Sequence, residues 1–375
     1  MPPHECEAGL QHTQVITARA NTPTATVDSA DRGPLETESI RPAALMTDKT
    51  WAIEHDRAFL LDRREQWVHA PCPACEADEP EPFDTKLGFS YARCPACDTA
   101  YTTPRPGPEL LDAFYRQSAN YAYWNEHIFP ATEPTRRERI FRPRAERLRT
   151  ILDRLEVRTH TLMDVGAAFG TFCVEARDAG LADHVIALEP TPGLAATCRR
   201  RGLETIESTL ESLPGDVRVN VLTAFEVIEH VFDPAAFVRR CTSALEPGGL
   251  LVLSCPNHRG FGVAGLGTPD HPARSGTFDH EHLNYFTPDS LPRLLTRCGL
   301  RVVEVLTPGE LDADLVRQAA LRGEISLNDR PLLREVLLDH WTTLGADFQQ
   351  FLREQRLSSH LWVIAQKSQA VLPEG

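Results

Sequence analysis

A chain of 375 residues with 42% apolar and 25% charged residues has the make-up of a soluble globular protein, long enough for one large domain beside a small one. Its formal charge of −14 argues against a protein that coats nucleic acid, because phosphates are bound through Lys and Arg. No apolar run approaches the roughly 18 residues of a membrane span, the N-terminus lacks the basic-then-apolar pattern of a secretory signal, and Cys6, Cys173, Cys198, Cys241, Cys255 and Cys298 are scattered singly, so a reduced, cytoplasmic setting is expected.

Residues 1 to about 45, rich in Thr, Ala and Pro without a sustained period, read as a mobile tail. A collar with Trp51, Phe59, Leu60, Leu61 and Trp67 leads into Cys72-Pro-Ala-Cys75 and, after eighteen residues, Cys94-Pro-Ala-Cys97. Each pair grips one metal ion through a tight turn, and four thiolates complete a closed tetrahedral zinc site. Two redox pairs are a poor alternative, since no thioredoxin-like unit surrounds them. Glu76, Asp78, Glu79, Glu81 and Asp84 against Lys86 alone repel phosphate, so the ribbon over 46–108 is expected to scaffold rather than to hold RNA. Prolines at 104, 106 and 108 bar helix from its exit.

An aromatic connector over 109–140 carries Phe114, Tyr115, Tyr121, Tyr123 and Trp124. From Pro143 to Leu155 the apolar positions Leu148, Ile151, Leu152 and Leu155 share one helix face, and Arg144, Arg147, Arg149 and Arg154 on the other read as solvated. Strands and helices then alternate, as in a parallel sheet covered on both sides. Candidate strands are Leu162–Val165, His184–Leu188, a weaker one at Thr205-Ile206, Val217–Phe225, Leu250–Ser254, Arg301–Leu306 and Leu361–Ala365. Between the last two, residues 307–356 read as a helical insert, opening with a turn at Thr307–Leu315.

Asp164-Val-Gly166-Ala-Ala168-Phe-Gly170 follows the first strand and opens a helix, where small residues let the backbone approach a ligand and helical N–H groups face it. The second strand ends in Glu189, placed to accept hydrogen bonds from both hydroxyls of a ribose. A dinucleotide fingerprint would want glycine where Ala168 stands. Together with Phe225-Glu-Val-Ile-Glu-His-Val-Phe-Asp-Pro234 and Leu245-Glu-Pro-Gly-Gly249, these blocks resemble the class I S-adenosylmethionine-dependent methyltransferases over roughly 140–305 and the last strand. The resemblance implies an α/β, Rossmann-like seven-stranded sheet with its last strand antiparallel, in a domain over 141–306 and 357–370 behind the small zinc ribbon. It implies Glu189 at the ribose, Asp164, Gly166, Ala168 and Gly170 round the methionine part, and Phe225 in the cleft. Where the family often has Asp at the start of strand four this chain has Asn220, and adenine recognition after strand three falls to the Thr209 hydroxyl or the Leu210 backbone.

Glu226, Glu229 and His230 stand at i, i+3 and i+4, so a helical segment after strand four would present all three on one face. The pattern resembles the Glu-x-x-Glu-His metal motif of small-RNA and quinone O-methyltransferases, and His282 in Asp279-His-Glu-His282-Leu-Asn-Tyr-Phe-Thr287 falls where the RNA enzymes carry a further His. Two readings stand side by side: a second divalent metal on Glu226, Glu229, His230 and His282, or a metal-free site with His230 or His282 as base and Glu229 beside it. His258 and His271, on the same loop, read as surface or substrate contacts, and loop 256–286 and the insert as walls of the acceptor pocket. The expected activity is methyl transfer from S-adenosylmethionine to a small-molecule acceptor, favouring a sugar or natural-product hydroxyl. The alternatives are a C- or N-methyltransferase, an RNA methyltransferase and a non-catalytic cofactor-binding module.

Overall fold

The computed structural model describes Leu35 and residues 37–264 and 280–369; His271 lies outside them. Helical segments Thr37–Ile40, Ala43–Asp48 and Thr50–Leu61 precede the ribbon. Residues 37–40 and 43–45, read as part of a tail, are helical instead: Ile40 is buried, and Arg136 donates to its carbonyl at 2.7 Å.

The ribbon region contains β1 (Trp67–Val68), β2 (Glu81–Lys86), β3 (Phe89–Arg93), β4 (Ala100–Thr102) and β5 (Arg105–Pro106). Pro108 then opens helix Pro108–Gln117, where its missing N–H costs nothing. Phe114 packs into one apolar cluster with Leu60, Phe89, Tyr91 and Tyr285. From Ala119 to Arg154 the chain is helical, with wider turns at Trp124–Ile128 and Arg137–Phe141. Pro134 and Pro143 remove amide donors along this run, the kind of gap that such turns absorb.

The large sheet is made of β6 (Thr161–Val165), β7 (His184–Leu188), β8 (Glu204–Ile206), β9 (Val219–Phe225) and β10 (Leu245–Pro256). After β10 come β11 (Asn284–Tyr285), β12 (Leu300–Leu306) and β13 (His360–Lys367). The seven-stranded order is β12-β13-β10-β9-β6-β7-β8, with β13 antiparallel to both neighbours. Alternation sends Leu162 into one core and Met163 into the other, so β6 is covered on both faces and reads as an unbroken apolar run. Pro-Gly-Gly, expected to lead into the fifth strand, lies inside β10, whose pairing with β9 shifts between Leu245 and Leu250.

β11 is not part of this sheet and was not anticipated. It pairs with β4, so the ribbon sheet runs β11-β4-β3-β2 and its edge strand comes from the chain that follows β10. Between β12 and β13, helices Asp312–Leu321, Pro331–Arg334 (continuing to Asp339) and Trp341–Glu354 share a core with Phe261. Thr307–Leu315 passes from strand into helix at Asp312, whose carboxylate accepts from Ser358 Oγ at 2.6 Å and Gln349 Nε2 at 2.8 Å, tying both ends of the insert together.

Candidate active site

At the carboxyl end of β6 the backbone takes positive φ at Gly166 (70°), Ala168 (48°) and Gly170 (70°). A Cβ on Gly170 would lie 2.5 Å from Leu203 and 2.9 Å from the Cys198 sulfur, so the position is closed to any other residue. Glu189 shapes the loop: one carboxylate oxygen accepts from the Ala168 amide and the other from the Thr191 amide, both at 2.8 Å. Each oxygen keeps a lone pair for a further donor. Burial raises its pKa against the pull of those amides. Asp164 is 4% exposed and accepts from Thr223 Oγ1 at 2.6 Å. Burial pushes its carboxyl up to about 7, opposed by the Thr223 hydrogen bond and by Arg144. Phe225 stands between Phe172 (4.8 Å) and Trp362 (5.1 Å). After β8, Thr209 is exposed with its hydroxyl on Ser212 at 3.1 Å, and Leu210 is buried in the core. Asn220 Oδ1 caps the start of β6, accepting from the amides of His160 and Thr161 at 2.9 Å.

The segment after β9 is a turn, not the expected helix, and Glu226 enters it with φ of 57°. That left-handed step sends Glu226 away from the other three: it accepts from Ser254 Oγ at 2.6 Å and faces His360 Nδ1 at 3.4 Å. Burial pushes its pKa up, but His360, Arg144 and the Ser254 bond prevail and hold it below the ordinary carboxylate value. Glu229, His230 and His282 do converge, with one ligand atom from each lying within 4.8 Å of the others. The two rings are 4.8 Å apart, and His230 Nε2 lies 3.9 Å from Glu229. His230 Nδ1 is 3.1 Å from the Glu281 carbonyl; donating there, the ring keeps its lone pair on Nε2. The edges of Tyr115 and Tyr121 face the same ring at 6.3 and 6.4 Å.

Two residues that hold this turn were missed. Asn284 is 1% exposed; its amide donates to the carbonyls of Val231 (2.8 Å) and Ile228 (3.1 Å), and its oxygen accepts from Arg105 Nη1 at 3.0 Å. Arg105, 2% exposed, also donates to the Phe232 carbonyl at 3.1 Å. Asn284 stood in the quoted Asp279–Thr287 block, but nothing in the pattern tied it to Arg105. His258 is not at the surface: it is buried, its ring 5.5 Å from Phe83 and 6.4 Å from Tyr285. The solvated reading is corrected for two of the four arginines, because Arg144 lies over Phe225 at 4.8 Å and Arg147 over Trp362 at 5.4 Å, while Arg154 is exposed as expected.

The cysteine pairs form two matching knuckles. Glu76 N donates to Cys72 O (2.8 Å) and Asp98 N to Cys94 O (2.9 Å), and both Glu76 and Asp98 have φ of 62°. All four sulfurs lie within 4.8 Å of one another, with Cys72–Cys97 at 3.4 Å and Cys75–Cys94 at 3.5 Å. Four bonds of about 2.3 Å in a tetrahedron place thiolates about 3.8 Å apart, so the cluster fits a zinc ion.

A parallel sheet with one antiparallel strand, a small-residue loop after its central strand and an acid ending the next define a class I S-adenosylmethionine-dependent methyltransferase. The comparisons agree, and the chain belongs to that family. A family model described as a methyltransferase domain matches residues 136–305. A ubiquinone biosynthesis O-methyltransferase of Xanthomonas euvesicatoria pv. vesicatoria is 31% identical over 174 residues, 42% of this chain and 70% of that protein. One of Bradyrhizobium sp. is 30% identical over 154 residues (38% and 59%), and a probable S-adenosylmethionine-dependent methyltransferase of Mycobacterium tuberculosis is 33% identical over 171 residues (44% and 58%). The chain thus spans under two thirds of the length of these last two relatives. Among solved structures, the 1,6-didemethyltoxoflavin-N1-methyltransferase of Burkholderia thailandensis has a TM-score of 0.42 at 14% identity, covering 77% of this chain and 99% of that one. Members of this family use S-adenosylmethionine as methyl donor. No helix among the described residues is long and apolar enough to cross a membrane.

Proposed function

We infer that the protein methylates a hydroxyl of a small-molecule acceptor, with His230 and His282 at the reacting oxygen and a structural zinc on Cys72, Cys75, Cys94 and Cys97. The observation that carries this reading is the convergence of two imidazoles and the Glu229 carboxylate beside the cofactor cradle. O-methyltransferases among the relatives favour oxygen over carbon or nitrogen.

When bound, S-adenosylmethionine supplies a methyl group activated by a sulfonium. Glu189 would hold the ribose hydroxyls, and the loop from Gly166 to Gly170 would hold the methionine part. His230 Nε2 would take the acceptor's hydroxyl proton, and Glu229 would stabilise the resulting imidazolium. Tyr115 and Tyr121 orient that ring, so positioning supplies much of the rate. The same three groups suit a divalent cation, which would lower the acceptor hydroxyl's pKa in place of a histidine base.

The test is calorimetric titration of S-adenosylhomocysteine into purified protein, with elemental analysis of the same sample, followed by acceptor screening with and without added Mg, Mn or Zn. One-to-one binding, one zinc per chain and turnover that survives chelation of loosely bound metal support the histidine base. A second bound metal with metal-dependent turnover supports the cation on Glu229, His230 and His282. Failure to bind S-adenosylhomocysteine would sink the reading.

A further inference from the structure

Four arginines near the site play no part in that chemistry. Arg144 and Arg147 lie on adjoining rings, since Phe225 and Trp362 are themselves 5.1 Å apart. Arg136 lies over Phe129 at 5.0 Å, and Phe129 packs at 4.9 Å on Phe169, the cofactor-loop residue between Ala168 and Gly170. Arg136 also donates to the carbonyl of Ile40, which brings Arg41 to its side. Arg41 is exposed to water, yet the protein around it lowers its pKa. The four lie within reach of one another's charge: burial first, with Arg41 and Arg144 adding to it, lowers Arg136 to about 10. Arg144 in turn acts on Arg147.

Among the described residues none of these guanidiniums has an ion pair. Arg41, Arg144 and Arg147 donate no side-chain hydrogen bond there either. Glu226 acts on both Arg41 and Arg144 but is engaged by Ser254 and His360; Asp164 also acts on Arg144 and is held by Thr223, while Glu310 and Glu304 act on Arg147 and face Arg353 and Arg154. Aromatic faces offset part of the charge of Arg144 and Arg147 but leave their N–H forks without acceptors among the described residues, and planar forks match carboxylates and phosphates. Four arginines whose neighbouring carboxylates are each engaged by another group can receive further negative charge, in a chain that carries 53 acidic residues.

We propose that the acceptor is an anion, carrying a phosphate or carboxylate that Arg41, Arg144 and Arg147 grip while its hydroxyl lies toward His230. This rests on the methyltransferase reading but is tested separately from it. The full-length, zinc-loaded protein, with and without S-adenosylhomocysteine, is titrated by calorimetry with inorganic pyrophosphate and with succinate. Saturable binding of one or both is expected, the tighter of the two naming the anionic group. Arg41→Ala/Arg147→Ala should weaken it about tenfold or more, and the charge-preserving lysine pair should weaken it less. The S-adenosylhomocysteine Kd should stay within about twofold throughout. The proposal is overturned if the wild-type protein binds neither anion, if the double variant binds equally well, or if cofactor affinity falls in parallel, since the arginines would then hold the cofactor's own carboxylate. Loss of the methyltransferase reading would look different: no S-adenosylhomocysteine binding, with the anion titration of the cofactor-free protein still deciding the proposal.

Discussion

In the cofactor cradle, the loop, Asp164, Glu189 and the amides that Glu189 accepts all come from one stretch, residues 164–191. At the reaction centre His230 comes from the turn after β9 and His282 from the segment after β10, and the clamp on both comes from Arg105 and β4 of the ribbon. The cradle is thus a local structure, set by strand, loop and strand, whereas the centre exists only when three distant segments are docked. Cofactor binding and turnover should therefore be separable by mutation.

The largest effect is expected from unmaking the ribbon. Stripping zinc with a chelator, or Cys72→Ser/Cys94→Ser, should lower kcat by about a hundredfold or more and leave the S-adenosylhomocysteine Kd within roughly threefold. Equal loss of binding would break the comparison. From the other side, Glu189→Ala should raise that Kd by about 30-fold or more, since charge-assisted hydrogen bonds are lost, while kcat at saturating cofactor changes little. Asn284→Ala lies between these extremes. It frees the turn at 228–231 and strands buried Arg105, so kcat should fall roughly tenfold and stability by about 1–3 kcal/mol, with cofactor affinity kept.

The smallest effect concerns Asp164. Its carboxyl is raised to about 7 when folded, so ionising it costs more in the folded chain than in the unfolded one. Its contribution to stability is full below the ordinary carboxylate range and is lost as pH rises toward 7. Thermal melts from pH 5 to 8 should therefore show a decline that flattens above about 7 and is shallower in Asp164→Asn. An unchanged slope would mean that the Thr223 hydroxyl and Arg144 keep the group ionised throughout.

Much of the large sheet was legible because two-sided burial writes itself as short apolar runs; Thr161–Val165 and His184–Leu188 lie within a residue of their expected bounds. The failures have physical reasons. Spacing alone put Glu226 beside Glu229, and one residue with positive φ undid it. The arginine face of 142–154 was correctly opposed to its apolar face, but a helical period does not say which aromatic rings will cover the other side. Arg105 lay hidden between two prolines because its partners, Phe232 and Asn284, are 127 and 179 residues away, and β11 is two residues long, too short to carry any period.

The pairing of Asn284 with Tyr101 also sets an order of assembly. During synthesis the cysteine knuckles emerge first and can take up metal while most of the parallel sheet is still unmade. The edge strand of the ribbon sheet arrives only after β6 to β10 have been translated, and joining it closes a loop of nearly half the chain, a slow and non-local step. His230 and His282 meet at that closure, so under the proposed function a nascent chain could hold nucleoside before it could methylate, and catalytic competence would arrive among the last events of folding.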